Sequence, residues 1–287
     1  MIIAVVGPTG IGKTALSIAL AKHYQAEIIN FDSMQVYEKL DIGTAKVTKE
    51  EMQGIKHHLL SYVPITSMYS VFDYQKDARG VLDQLLREKK NVVLVGGTGL
   101  YLKALLYDYQ FQEGTTYNSY DELSTEEIVE HIKQYNYQGT FDPHNRKRLV
   151  RLLNKLENKE EIASNGNVAL YDFKIVGLTM ERKVLYDRLN DRVDKMFADG
   201  LLAEVESVKD LFPVSKALQT GIGYKEFMPY FEKKQTLAEV KETIKRNSRR
   251  YAKRQFTFFK HQFPVRWYEV DCQNFASTIA SVITDLG

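Results

Sequence analysis

The sequence predicts an α/β fold: a parallel sheet flanked by helices and interrupted by a helical insertion. Three observations carry that prediction. Short apolar runs of strand length end in polar or glycine-rich residues, stretches with helical spacing lie between them, and one region near the middle loses the alternation altogether. With 287 residues, 44% hydrophobic and 26% charged, six prolines and no low-complexity tract, the chain can bury a substantial core in one or two domains.

Residues 1–6 form a short apolar run that fits a buried parallel strand. Gly-Pro-Thr-Gly-Ile-Gly-Lys-Thr follows from Gly7 to Thr14, and residues 15–22 then take helical spacing. A second run, residues 27–31, ends at Asp32; a third, residues 91–95, ends at Gly96-Gly97-Thr98. Open α/β sheets place their ligands at such strand ends. Between these runs, residues 72–88 read as a helix with Val81, Leu82, Leu85 and Leu86 inward. After Tyr109 the pattern changes. Residues 112–121 are polar and Tyr-rich, Ser124 and Glu127 offer a capping box for a short helix carrying Ile128, Ile132 and Tyr135, and Asp142-Pro143 opens another. On that second helix Leu149, Leu152, Leu153 and Leu156 share one face, and Lys147, Arg151 and Lys155 the other. Residues 112–168 are therefore read as the insertion, with 1–111 and 169–287 forming the core. Strand character returns at 173–179, residues 181–211 make one long helix or two, 237–259 a strong helix, and 266–270 a last strand.

Composition excludes several classes. A single cysteine, Cys272, rules out an internal disulfide and a Cys-rich zinc module, which suits a reducing compartment. No apolar run approaches a membrane span, and the first residues lack a basic segment followed by a long apolar one, so a cytoplasmic protein without a membrane partner is expected. Net charge is only +2. Its distribution says more: residues 241–260 hold eight Lys or Arg against the one acid Glu242, and residues 146–155 hold five and none. Lys241, Lys245, Arg249 and Lys253 recur every four residues, with Arg246, Arg250 and Arg254 beside them, a broad positive face that suits a phosphate backbone.

The stretch from Gly7 to Thr14 matches Gly-x-x-x-x-Gly-Lys-Thr in full and follows a strand, as a P-loop-type phosphate site requires. Its glycines let backbone N–H groups point inward, the helix N-terminus adds a favourable dipole, Lys13 supplies a point charge, and Thr14 can hold Mg²⁺. The default chemistry is phosphoryl transfer from ATP, a kinase or NTPase. Asp32 then serves either as a metal residue or as a base, and the loop alone does not choose.

Four further stretches bear on that choice: Phe-Asp-Ser-Met-Gln-Val-Tyr from Phe31, Asp-Ile-Gly-Thr-Ala-Lys from Asp41, Val-Gly-Gly-Thr-Gly-Leu-Tyr from Val95, and Thr-Gly-Ile-Gly-Tyr-Lys-Glu from Thr220. In that order after the phosphate loop they resemble the tRNA dimethylallyltransferases, prenyltransferases that act on N6 of the adenosine 3′ of the anticodon. The resemblance runs from about residue 2 to residue 270, and His57-His58 and the run from Tyr69 to Tyr74 fit it. Phe31, where a smaller residue is commoner, and Lys46, not followed by the frequent Pro, depart from it without touching the chemistry.

The resemblance implies that Gly7, Thr9, Gly10, Ile11, Gly12, Lys13 and Thr14 cradle the diphosphate of dimethylallyl diphosphate, with Mg²⁺ at Thr14. Asp32 accepts the N6 proton, Thr98 lies beside the diphosphate, and Lys13 and Arg192 stabilise its departure, Arg188 being the neighbour able to take the Arg192 role. tRNA is met by Asp32, Ser33, Met34 and Gln35, by Lys147, Arg148, Leu149, Val150 and Arg151, and by Thr220, Gly221, Ile222, Gly223, Tyr224 and Lys225. Lys245, Arg249 and Lys253 add the helix face, so that both basic segments grip the anticodon stem-loop. The adenosine is flipped into a channel that the prenyl diphosphate enters from the other side, and the protein is a monomer. An adenylate isopentenyltransferase acting on free nucleotide, a small-molecule kinase and a non-catalytic RNA-binding module are the competing readings. His57 and His58 are expected to pack rather than ligate, and no aromatic among the 18 Tyr and 14 Phe is assigned to a base.

Overall fold

Successive residues of a strand face opposite sides of its sheet, so apolar runs without alternation need helices on both faces. The computed structural model describes residues 1–111, 118–139, 141–160 and 167–287. Along the chain run β1 (Ile2–Val6), α1 (Lys13–Tyr24), β2 (Ala26–Asn30), α2 (Lys49–Met52), β3 (His57–His58), α3 (Val71–Arg87), β4 (Asn91–Val95), α4 (Gly99–Leu106), α5 (Thr125–Gln134), α6 (Arg146–Glu157), β5 (Lys174–Thr179), α7 (Arg182–Ala198), α8 (Leu201–Ser207), α9 (Lys216–Thr220), α10 (Met228–Phe231), α11 (Leu237–Gln262), β6 (Arg266–Glu269) and α12 (Phe275–Leu286). The strands form one parallel sheet in the order β3-β2-β4-β1-β5-β6.

Each face has its own core. Ile2, Ala4 and Val6 of β1 turn towards Tyr74 and Leu82 of α3, Leu102 and Leu105 of α4 and Phe259 of α11. Ile3 and Val5 turn the other way, to Leu16 and Leu20 of α1 and Val282 and Leu286 of α12. A third cluster lies beyond the strand ends, where Val193 of α7, Leu201 of α8 and Ile244 of α11 enclose Val36, Tyr224 and Phe227. Among the described residues, no helix is long and apolar enough to cross a membrane.

The chain divides into two compact units, residues 1–107 with 169–287, and residues 108–168. The second unit leaves the first through a short antiparallel ladder. Leu170 N–H donates to Leu106 O at 2.9 Å, Tyr107 pairs with Ala169, and Asp108 N–H donates to Val168 O at 2.9 Å. Within the second unit, α5 and α6 pack through Ile128, Ile132, Leu149 and Leu153. Asn154, buried beside them, donates to Asn118 O and Val150 O and accepts from Asn118 N–H.

Several elements differ from the expectation. Ser124 and Glu127 do cap α5, but α6 starts at Arg146 rather than at Asp142-Pro143. Asp142 instead accepts from His144 N–H, and Asn145 is the cap, accepting from Arg148 N–H. The stretch 181–211 splits at Gly200, whose φ of +102° breaks the helix. The short β3, α4 and the C-terminal α12 were not expected from the pattern. Residues 112–117 of the Tyr-rich stretch lie outside the described residues.

The two-residue β3 is held at the sheet edge by charge. His58 Nε2 lies 2.6 Å from Glu27, and Lys90 and Lys56 approach the same carboxylate at 2.5 and 3.5 Å. Burial works against the Glu27 charge, yet Lys90, His58 and Lys56 together bring its carboxyl down to about 2. A depressed carboxyl stabilises the fold above its unfolded pKa, about 4.3, and loses that contribution as pH falls towards the folded value. Glu27→Gln should therefore lower the urea midpoint more at pH 6 than at pH 3; an equal loss at both would remove Glu27 from this role.

Candidate active site

Gly7, Gly10 and Gly12 carry φ values of +143°, +78° and +107°, a backbone that L side chains rarely adopt. A Cβ on Gly7 would also meet Leu178 O at 2.9 Å. The loop closes on Gly12, which caps α1 without a side-chain acceptor, and the first turn of α1 has no acid, so its N–H groups are left for an anion. Lys13 folds back over the loop, its ammonium donating to Gly7 O at 2.9 Å and Pro8 O at 2.8 Å. Burial, and then the nearby Arg192, bring it down to about 7 against the pull of Asp32.

Asp32 sits just past the end of β2 and is held by its own backbone. Its N–H donates to Asn30 Oδ1, and its Oδ1 accepts from Met34 N–H at 2.9 Å and Gln35 N–H at 3.4 Å. The turn after β4 comes close beside it: a Cβ on Gly97 would stand 3.2 Å from Asp32 Oδ2 and 2.3 Å from Gln255 Nε2. Gln255 is a buried residue of α11 that sequence reasoning missed. It accepts from Thr9 N–H and donates to Gly97 O, both at 2.9 Å. The signal was present, since Gln255 stands at helical spacing in the apolar stripe with Ala252 and Phe259.

Two cavities flank this set. The first, about 600 Å³, is walled by Gly10, Gly12, Lys13 and Thr14 on one side and by Arg188 and Arg192 on another. The second, about 260 Å³, is walled by Ser33, Met34, Tyr251, Lys225 and Thr220 to Gly223. Thr9, Asp32, Thr44 and Arg192 belong to the walls of both. Arg192 is partly buried, donates to Thr44 O at 3.4 Å and faces Asp32; Arg188 is exposed and lines only the first cavity. Gln35 lines the first cavity and donates to Thr44 O.

Glu204 of α8 fixes the wall that carries Thr44. Its carboxylate accepts from the N–H groups of Asp41, Ile42 and Gly43 at 2.9, 2.7 and 3.0 Å, and from the Tyr224 hydroxyl at 2.8 Å. Nothing near Asp41 in sequence announces this partner, 163 residues away.

Some predicted site residues stand elsewhere. Tyr224 has no exposed surface; its ring is buried and its hydroxyl is taken by Glu204. Leu149 is likewise buried, in the apolar contact of α5 with α6, whereas Lys147, Arg148 and Arg151 are exposed and Val150 half-buried. Ile11 is buried in the core, leaving its N–H as its contribution to the loop. Thr98 lines neither cavity; its hydroxyl accepts from Ser33 N–H at 3.0 Å and lies 3.1 Å from Ser33 Oγ. The expected basic face also turns. Lys245 pairs with Asp194 of α7 at 3.0 Å and with Glu242 at 3.3 Å, Lys241 meets the same Asp194, and Arg249 donates to Asn190 of α7. The cations of α11 that remain exposed at this face are Arg246, Arg250, Lys253 and Arg254. α7 supplies the acid that the local sequence lacked.

A sequence model of a family described as IPP transferase matches residues 35–262. The chain is 41% identical to the tRNA dimethylallyltransferase of Anoxybacillus flavithermus, over 94% of this chain and 90% of that one. Among solved structures it is similar to the tRNA delta(2)-isopentenylpyrophosphate transferase of Staphylococcus epidermidis, with a TM-score of 0.74 and 35% identity over 100% of this chain and 99% of the other. It is also similar to a eukaryotic dimethylallyltransferase described as acting on tRNA, with a TM-score of 0.79 and 25% identity over 99% of this chain and 77% of that one.

The Lys13 environment has a measurable consequence. A phosphate anion bound in the first cavity would raise the lysine's pKa from about 7, so that binding would take up a proton at any pH between the free and bound values. Titrating inorganic diphosphate at pH 8 in two buffers of different ionisation enthalpy should show net proton uptake, and affinity should fall as pH rises; Lys13→Met should abolish the uptake.

Proposed function

The chain belongs to the IPP transferase family, and on that premise we propose that it transfers the dimethylallyl group of dimethylallyl diphosphate to N6 of the adenosine 3′ of the tRNA anticodon, releasing diphosphate. One observation carries the reading: the phosphate-loop cavity and the cavity walled by the second set of motif residues share Asp32 and Arg192. A leaving group held on one side and a base admitted from the other would meet at that carboxylate.

The chemistry asks for little beyond placement and charge. The adenine amine is a weak nucleophile, its lone pair being delocalised into the ring, so catalysis rests on position, proton removal and leaving-group stabilisation. N–H groups of residues 10–14, Lys13 and Arg192 stabilise the departing diphosphate. Asp32 takes the N6 proton as the new C–N bond forms. Ser33 and Met34 line the base side, and Thr98 acts by holding Ser33.

The exposed Thr14 hydroxyl lies in the first cavity with Glu51 and Asp32 in the same walls. Among the described residues, no group of three or more His, Cys, Asp or Glu is set to hold a metal alone. Thr14 would hold Mg²⁺ together with substrate oxygens and water, as that small octahedral ion favours; when bound it adds positive charge beside the diphosphate.

The RNA contacts divide between Lys147, Arg148 and Arg151 on α6 and the exposed row Arg250, Lys253 and Arg254 on α11. Thr220, Gly221, Ile222, Gly223 and Lys225 border the cavity that would receive the flipped base. The reading includes a monomer working in the cytoplasm, where its RNA substrate resides.

Incubation with Mg²⁺, dimethylallyl diphosphate and either an unmodified anticodon stem-loop or AMP tests the assignment by mass. A five-carbon gain on the stem-loop alone is expected; gain on AMP, or on neither, would overturn it. Asp32→Asn should keep stem-loop affinity and lose on the order of 10² to 10⁴ in rate. Replacing Arg250, Lys253 and Arg254 with Gln should flatten the salt dependence of stem-loop binding by roughly 0.7 to 0.9 log units per lost contact, whereas Lys245→Gln should leave the slope unchanged because Asp194 already holds that charge.

A further inference from the structure

A buried amide side chain is costly unless both its ends are satisfied, and one satisfied by two separate backbone segments fixes their separation. Gln255 is such a residue. Its two partners lie in the turns that end two neighbouring parallel strands: Thr9 follows β1, and Gly97 follows β4. Thr9 belongs to the diphosphate loop, and Gly97 lies beside the Asp32 carboxylate: a Cβ there would be tight against Asp32 Oδ2 at 3.2 Å and would clash with Gln255 Nε2 at 2.3 Å. The Tyr251 hydroxyl, one turn earlier on the helix, lies against both Gln255 and Thr98. The amide is therefore wedged between the group that holds the leaving diphosphate and the group that takes the proton.

We propose that Gln255 is a positioning residue for prenyl transfer, setting the distance between the phosphate loop and Asp32 without touching either substrate. This rests on the function proposed above. The Thr9 N–H is committed to Gln255, so the loop presents to a phosphate the N–H groups that follow it. Loss of the bridge lets the two turns drift by a fraction of an ångström to an ångström, a displacement that costs up to about 10²-fold in rate when reacting groups must be aligned.

Two near-isosteric variants test this in the stem-loop assay. Gln255→Met fills the same space and lacks both hydrogen bonds; it should fold with a wild-type circular dichroism spectrum and lose about ten- to a hundredfold in kcat, with both KM values within about threefold. Gln255→Glu carries its own switch. The protonated carboxyl accepts from Thr9 and donates to Gly97 O, as the amide does, while the ionised form sets an oxygen anion against that carbonyl. Burial and the Asp32 charge favour its proton, Lys13 and Arg192 oppose it, and the neutral Tyr251 hydroxyl faces it from α11. Its kcat relative to wild type should be highest where the introduced carboxyl is protonated and fall as pH rises through that carboxyl's own pKa, while the Gln255→Met ratio stays flat. A Gln255→Met enzyme within twofold of wild-type kcat, a loss confined to KM, or a Gln255→Glu ratio that rises with pH would overturn the proposal. Failure of the wild type to modify the stem-loop is a separate result: it removes the functional reading, and this proposal with it.

Discussion

Lys13, Arg192 and Asp32 share a desolvated space, and the arrangement of the whole site answers to that constraint. Burial opposes the charge of both Lys13 and Arg192 and Arg192 opposes that of Lys13, while Asp32 favours both and Glu51 favours Arg192. In water such a set would be screened; in a partly buried cavity it is not. The free protein meets the difficulty by folding Lys13 onto the Gly7 and Pro8 carbonyls and Arg192 onto the Thr44 carbonyl. A bound diphosphate would relieve the same tension with its own charge. The site is therefore poised for an anion by the cost of being without one.

Helix α11 works on two sides. Its inner stripe places Ala252 and Phe259 in the two cores and Gln255 between strand-end turns, while Arg246, Arg250, Lys253 and Arg254 stay exposed. Between these lies a third row, Lys241, Lys245 and Arg249, spent on α7. Helix α7 in turn carries Arg192 into both cavities. The long basic helix is thus built into the catalytic unit, rather than laid on its surface.

What was legible in the sequence was local. Strand runs, the phosphate loop and the Ser124 cap are written in consecutive residues, because their physics is alternation, a glycine backbone and a hydrogen bond over three positions. Long-range partners were not legible. Lys245 looks free until Asp194 is placed opposite it, Tyr224 looks available within a glycine-rich motif until Glu204 is brought to its hydroxyl, and nothing local shows that the Thr98 hydroxyl meets Ser33. The two-residue β3 has no periodicity to read, since its place depends on Glu27. Polar residues in apolar stripes, such as Gln255 and Asn154, were the underused signal: each turned out to hold backbone from a different segment.

The ladder at Tyr107 and Ala169 means that residues 108–168 enter and leave at one point, like a long hairpin. Among the described residues, none in their apolar cluster belongs to the cores of the larger unit. Closing a loop of that length costs only slowly more than closing a short one. Among the described residues, the smaller unit therefore has an apolar cluster of its own, built from α5 and α6.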